Sequence, residues 1–263
     1  MPAMTTLVYP IVTLAVVLAA WSATADDPHP ARTPVVVELF TSEGCSSCPA
    51  ADALLAKLAA TQPVAGAEVI ALSEHVDYWN RLGWTDPFAS KQFSQRQGDY
   101  AAASRQSRVY TPQMVVDGGA EFVGSDARRA TAEIARAAKE QKAVVELAHA
   151  PGGSGLRVAV RSLPPGQARG TADVLLAVVE DGLSSDVRRG ENAGRQLEHT
   201  AVVRRLEVLG SVAGSGERFD RWVALVPDPS WRRDRLRAVA FVQERGSRRI
   251  LGAAQIRLGA AQS

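Results

Sequence analysis

Two cysteines three positions apart, Cys45 and Cys48, lie between an apolar run and a helical pattern, and this placement constrains the fold more than any other feature of the chain. Val35 to Phe40 is rich in β-branched residues and reads as a strand. After a polar turn, Leu54, Leu55 and Leu58 recur at helical spacing within Ala50 to Ala60. Strand, Cys45-Ser46-Ser47-Cys48-Pro49 and helix therefore follow in direct succession. A second strand is expected from Glu68 to about Ser73, a helix within the polar stretch Phe88 to Ser104, and a strand at Met114 to Val116. Asp117-Gly118-Gly119 then signals a hairpin turn into a strand at Glu121 to Val123. Ser125 is a candidate cap for a helix over 126–142, with Ala130, Ile134, Ala137 and Ala138 on one face. This is an α/β pattern ending near residue 142.

Beyond that point the helical period gives way to alternation, at Leu156-Val158-Val160, Val174-Leu176-Val178, Leu206-Val208, Leu236-Ala238-Ala240 and Ile250-Gly252-Ala254-Ile256. Pro151-Gly152-Gly153, Pro164-Pro165-Gly166, Gly190-Glu191-Asn192, Gly214-Ser215-Gly216 and Pro227-Asp228-Pro229 supply turns between them. A β-rich, sandwich-like second domain over 143–263 is expected, following an α/β domain over 33–142.

The first 25 residues contain no acidic or basic side chain, and the apolar run Leu7 to Ala20 leads to Ala23-Thr24-Ala25, a cleavage-like pattern. Residues 1–25 read as a signal peptide and 26–32 as a short leader, so a periplasmic or secreted protein is expected. The run falls short of the roughly 18 to 20 apolar residues that span a bilayer, and no membrane association is expected after cleavage. Thirty basic residues against 28 acidic ones leave a charge of only +2, and the arginines are dispersed, which argues against a nucleic-acid partner.

Cys45 and Cys48 are the chain's only cysteines. A bridge closing so short a loop removes little entropy from the unfolded chain, and there is no second pair to complete a four-ligand zinc site. Redox chemistry is the remaining reading. Unpaired N–H groups and the positive end of the dipole at a helix N-terminus favour a thiolate. Cys45 is then the attacking sulfur and Cys48, a turn deeper, the resolving one. Pro49 suits the first turn of the helix.

Thr111-Pro112 before the strand Met114 to Val116 completes a pattern that resembles the thioredoxin superfamily. More closely, the chain resembles a family of exported bacterial thioredoxin-like proteins known as a domain of unknown function. The matching stretches are Val37 to Pro49, His75-Val76-Asp77-Tyr78-Trp79, Gly83-Trp84-Thr85-Asp86-Pro87, Tyr110-Thr111-Pro112-Gln113 and Arg189 to Arg195. The resemblance implies a thioredoxin fold over 33–142, a cis peptide at Pro112, and substrate pairing at Thr111. It also matches Glu38 to the buried acid of thioredoxins; a surface salt bridge is the competing reading for that residue. The stretch between Cys48 and Pro112 is longer than in the minimal fold, and its aromatic residues are expected at the rim of the site.

His75 follows the second strand and either stabilises a Cys45 thiolate or fixes the rim by hydrogen bonding. Tyr78, Trp79, Trp84 and Phe88 read as core or as a substrate platform. The loop from Gly190 to Arg195 reads as a turn, as a partner-binding loop or as a clasp between the two domains, and His149 and His199 lack ligand-like spacing. The leading expectation is a thiol-disulfide oxidoreductase acting on protein thiols or disulfides together with a separate redox partner. No cofactor and no resident metal are expected, and nothing in the sequence sets the oligomeric state. Two alternatives stand beside it: a non-catalytic binding module with a structural disulfide, and a Cu(I) carrier using both thiolates and His75.

Overall fold

The alternating side chains of the first strand, β1 (Thr33–Thr41), organise the layers on either side of it. A computed structural model describes residues 32–105, 108–151, 155–163, 170–214 and 217–259. The expected signal peptide lies outside the described residues, as do all but the last residue of the leader, all but Pro151 and Gly214 of the turn signals at 151–153 and 214–216, and the whole of the signal at 164–166. Val35, Val37 and Leu39 face α1 (Cys48–Thr61) and α3 (Ala127–Ala137), packing on Ala51, Leu55, Leu58, Ala130 and Ile134. Val36 points the other way, into a cluster with Ile70 and Leu72 of β2 (Ala67–His75) and Phe93 of α2 (Lys91–Ala103).

β1 runs parallel to β2 and antiparallel to β3 (Gln113–Val116), which turns into β4 (Ala120–Val123). The remaining strands are β5 (Val144–His149), β6 (Gly155–Ser162), β7 (Thr171–Glu180), β8 (Leu183–Asp186), β9 (Gln196–His199), β10 (Val202–Ala213), β11 (Phe219–Ala224), β12 (Leu236–Glu244) and β13 (Ile250–Arg257). One eight-stranded sheet runs β13-β12-β7-β10-β2-β1-β3-β4. The fold is thus a mixed α/β one with a thioredoxin-like start followed by additional β structure. A three-stranded sheet, β11-β6-β5, packs Leu156, Val158 and Val160 against Val174, Leu176, Ala238 and Ala240 of the large sheet. β8 and β9 form a separate hairpin.

The boundary expected near residue 142 does not interrupt this sheet. β10 joins β2 at Val202↔Ser73, reinforced by the Ser73 N–H donating to the Ala201 carbonyl at 2.7 Å, and the described residues on both sides of that boundary belong to one compact unit. The third helix also differs from expectation. Its cap is Asp126, whose carboxylate accepts the Arg129 N–H at 2.9 Å and suits the positive end of the dipole better than the Ser125 hydroxyl. It ends at Ala137 rather than 142, because Ala143 N–H is drawn to the Leu251 carbonyl at 2.7 Å and the chain leaves the helix to reach β13. No helix among the described residues is long and apolar enough to cross a membrane.

Candidate functional site

β1 delivers its C-terminal end to a tight turn that winds into α1. Gly44 N–H donates to Ser42 Oγ at 3.1 Å, Cys45 N–H to the Ser42 carbonyl at 3.2 Å and Cys48 N–H to the Cys45 carbonyl at 3.2 Å. Cys45 and Cys48 are joined as a disulfide with their Cα atoms 5.4 Å apart. The bridge lies beneath the exposed Ser46 and Ser47 and is itself buried, Cys45 being 1% and Cys48 0% accessible. Cys45 Sγ is 3.4 Å from Ser47 Oγ. Pro49 occupies the first turn of α1, as the sequence predicts.

The Thr111–Pro112 peptide is cis. It leads into β3, which pairs with β1 at Leu39↔Met114. Gly124 permits the close approach behind it: a Cβ there would meet Leu39 Cδ1 at 2.7 Å, Ala51 Cβ at 3.1 Å and Pro112 Cβ at 3.2 Å. The cysteine turn and the proline loop are bridged by Trp79, whose Nε1 donates to Thr111 Oγ1 at 2.8 Å. A Cβ on Gly44 would lie 3.1 Å from Trp79 Cβ, so the same residue lies against the position before Cys45.

Glu38 and His75 are each held by a buried partner, Arg96 and Asp86 respectively. β1 alternation turns Glu38 to the α2 face, opposite α1 and Cys48, so it is not placed to pass a proton to Cys48. There its Oε1 receives Arg96 Nη2 at 2.6 Å and its Oε2 the Tyr100 hydroxyl. Nor is it a surface pair, since both Glu38 and Arg96 are buried. The neighbouring Glu74 is pushed well above the ordinary carboxylate value by burial, opposed by Arg96 and reinforced by the Glu38 charge.

His75 is buried with Nδ1 on Asp86 Oδ2 at 2.7 Å, the hydrogen-bonded rim role. Burial works against its protonation, but the charge and hydrogen bond of Asp86 outweigh that and raise its pKa above the ordinary 6.5. Asp86 is a hub, its Oδ2 also accepting the Glu43 N–H at 2.9 Å and its Oδ1 the Phe88 N–H at 2.9 Å. It thereby ties the segment between β2 and α2 to the cysteine turn. Among the described residues no group of three or more His, Cys, Asp and Glu side chains is placed to hold a metal.

Several residues at the site carried no signal in the sequence. Glu43 is buried, accepting from Trp84 Nε1 at 2.7 Å and pairing with His199 Nε2 at 2.9 Å. The His75 and His199 rings meet edge to face with centroids 4.8 Å apart, and Phe88 flanks both at 5.4 Å. Trp84 and Phe88 thus line the site half-buried, while Tyr78 and Trp79 pack on the buried cluster of Phe40, Val76, Tyr100 and Val115. Asp52, one turn beyond Cys48 on α1, is raised by burial against the opposing pull of His75 and His199. Thr41 Oγ1, Asp52 Oδ1, His75 Nε2 and His199 Nδ1 are buried without a hydrogen-bond partner among the described residues.

The β8–β9 hairpin covers the cysteine turn from above. Between its strands, the buried Asn192 donates from Nδ2 to the Glu43 carbonyl at 2.8 Å and the Cys45 carbonyl at 2.9 Å. Glu191 Oε2 accepts the Ser46 N–H at 2.9 Å, and Arg195 Nη1 steadies the Asn192 side chain at 3.0 Å. His199 reaches Glu43 from β9 of the same hairpin. Sequence motif alone left this loop as a turn, a partner-binding loop or a clasp, because its partners lie about 150 residues away, at a separation of 149 for Asn192 and Glu43.

A CxxC disulfide at the start of a helix and a cis proline linked to its turn through Trp79, in a sheet of this order, define a thioredoxin-like fold. Residues 36–243 match the family described as protein of unknown function (DUF1223), and the chain belongs to that family. The crystal structure of a protein from Agrobacterium tumefaciens, structural-genomics target AtR35, is similar: 30% identical, covering 88% of this chain and 97% of that one, with a TM-score of 0.68. HBP35 of Porphyromonas gingivalis is 15% identical over 88% of this chain and 77% of its own, with a TM-score of 0.59, a likeness of fold. No curated protein matches the chain.

Proposed function

We propose that this protein is an exported thiol-disulfide oxidoreductase acting on protein thiols or disulfides, with Cys45 the exchanging sulfur, Cys48 its resolving partner, and the Thr111–Pro112 loop the substrate guide. The observation that carries the reading is the convergence of the Cys45–Cys48 bridge and the cis Thr111–Pro112 peptide around Trp79. Export rests on the apolar run and Ala23-Thr24-Ala25.

In the oxidising direction a substrate thiolate attacks Cys45 Sγ, the Cys45–Cys48 bond breaks, and its electron pair leaves on Cys48 Sγ, which takes up a proton. A second substrate thiolate then attacks the substrate sulfur of the mixed disulfide, and Cys45 departs as the thiolate. The substrate dithiol becomes a disulfide and the protein a dithiol, to be reoxidised by a partner disulfide; the reverse sequence reduces a substrate. Because both sulfurs are buried, exchange requires their cover to open, with Glu191 releasing the Ser46 N–H and Asn192 the Glu43 and Cys45 carbonyls.

That burial also favours a second reading, in which the bridge is structural and the protein is a binding module. One experiment separates them: expression of Cys48→Ala in the producing cell and recovery of covalent adducts. Dithiothreitol-sensitive adducts through Cys45 are expected. A folded protein that yields none, together with a wild-type bridge more reducing than about −300 mV, establishes the structural role instead.

A further inference from the structure

We propose that Glu191 sets the redox poise of the Cys45–Cys48 pair, its carboxylate lodging a negative charge on the Ser46 N–H beside Cys45. The inference rests on the reading of the pair as an exchanging dithiol. A cysteine that opens a helix owes its acidity to the unpaired N–H groups just after it. In this chain those donors are largely spent. Ser46 N–H goes to Glu191 Oε2 at 2.9 Å and Cys48 N–H to the Cys45 carbonyl at 3.2 Å. The hydroxyl of Ser47, 3.4 Å from Cys45 Sγ, is a side-chain donor left to the sulfur.

Glu191 also adds a negative charge of its own where a thiolate would form, which disfavours that thiolate. Its carboxyl is held below the ordinary glutamate value by the hydroxyl and N–H of Ser46, so it is ionised at neutral pH. Its position is fixed independently of that bond. Its neighbour Asn192 is anchored on the carbonyls of Glu43 and Cys45, and the loop is closed by Gly194 N–H to the Val187 carbonyl at 2.8 Å. The carboxylate is thus carried to the cysteines by a hairpin from the far end of the sequence, and weakens the disulfide's oxidising power without touching sulfur.

The test compares wild type, Glu191→Gln, Glu191→Asp and Ser47→Ala in dithiothreitol redox buffers, with Cys45 acidity read from thiolate absorbance in the reduced protein. Glu191→Gln keeps an acceptor for Ser46 and removes the charge. It should favour the Cys45 thiolate, and shift the equilibrium toward the dithiol, by about two- to fivefold, the size of one charge at an exposed helix terminus, or roughly 10 to 20 mV for two electrons. Glu191→Asp should stay near wild type, Ser47→Ala should move the opposite way, and added salt should shrink the Gln effect. Equal acidity and equilibrium constant in wild type and Glu191→Gln, or an Asp variant as shifted as the Gln variant, would overturn the inference. A clear Glu191→Gln shift in a protein that forms no adduct with any protein thiol would instead sink the proposed function alone.

Discussion

Trp79 and Thr111 are joined by a 2.8 Å hydrogen bond from the indole Nε1 to the threonine hydroxyl. Since Trp79 also packs on Gly44, one side chain holds the residue before Cys45 in register with the residue before the cis proline. Trp79→Phe removes the hydrogen bond while keeping most of the packing. A loss of about 1 kcal/mol is expected in urea denaturation, with slower exchange between the protein and a dithiol peptide.

Asn192 is the buried pin of the covering hairpin. Asn192→Ala leaves the carbonyls of Glu43 and Cys45 without that donor, at a cost of about 1 to 3 kcal/mol for each group left unsatisfied. Alkylation of Cys45 in the reduced variant should accelerate relative to wild type. An unchanged alkylation rate would mean that the hairpin does not govern access to the sulfur.

The His75–Asp86 pair gives stability a defined pH window. Asp86 is lowered from 3.8, burial being outweighed by His75, so its contribution is complete above 3.8 and lost as pH falls through its lower folded value. His75 is raised from 6.5, so its contribution is complete below 6.5 and fades as pH rises through its higher folded value. Both act in full between pH 3.8 and 6.5. In Asp86→Asn the alkaline fade assigned to His75 should flatten when denaturation midpoints are followed across pH.

Glu38 tests the separation of the two faces of β1. Glu38→Gln breaks a buried ion pair with Arg96 and should cost about 3 to 5 kcal/mol. The acidity of Cys45 in the folded variant should match wild type, because the residue lies across the sheet from α1. A shifted Cys45 titration would restore the thioredoxin-like role expected from sequence.

Periodicity made β1, α1, β2 and the β3–β4 hairpin legible, and the cysteine and Thr-Pro signals marked the site because each depends on neighbours a few residues away. What stayed hidden depends on pairing across the chain. Glu38 lies seven positions before Cys45, a spacing that resembles a thioredoxin's once one extra residue is allowed in the turn, but only the strand's pleat decides which side of the sheet it faces. His199 has no ligand-like spacing in sequence, yet it meets Glu43 at a separation of 156 residues. Asp52 reads as an ordinary polar position on a helix until the histidines of two other strands arrive beside it. β8 and β9 are four residues each and chemically mixed, too short for alternation to stand out.

The seam between β2 and β10 makes the first 142 residues an incomplete object. Cut there, β2 would lose the neighbour it meets at Ser73 and expose that part of its edge to solvent. The same cut would carry away Glu191, Asn192 and His199, leaving the disulfide uncovered. A shortened gene product would therefore be sticky as well as unguarded, and its chemistry would be a poor guide to that of the whole.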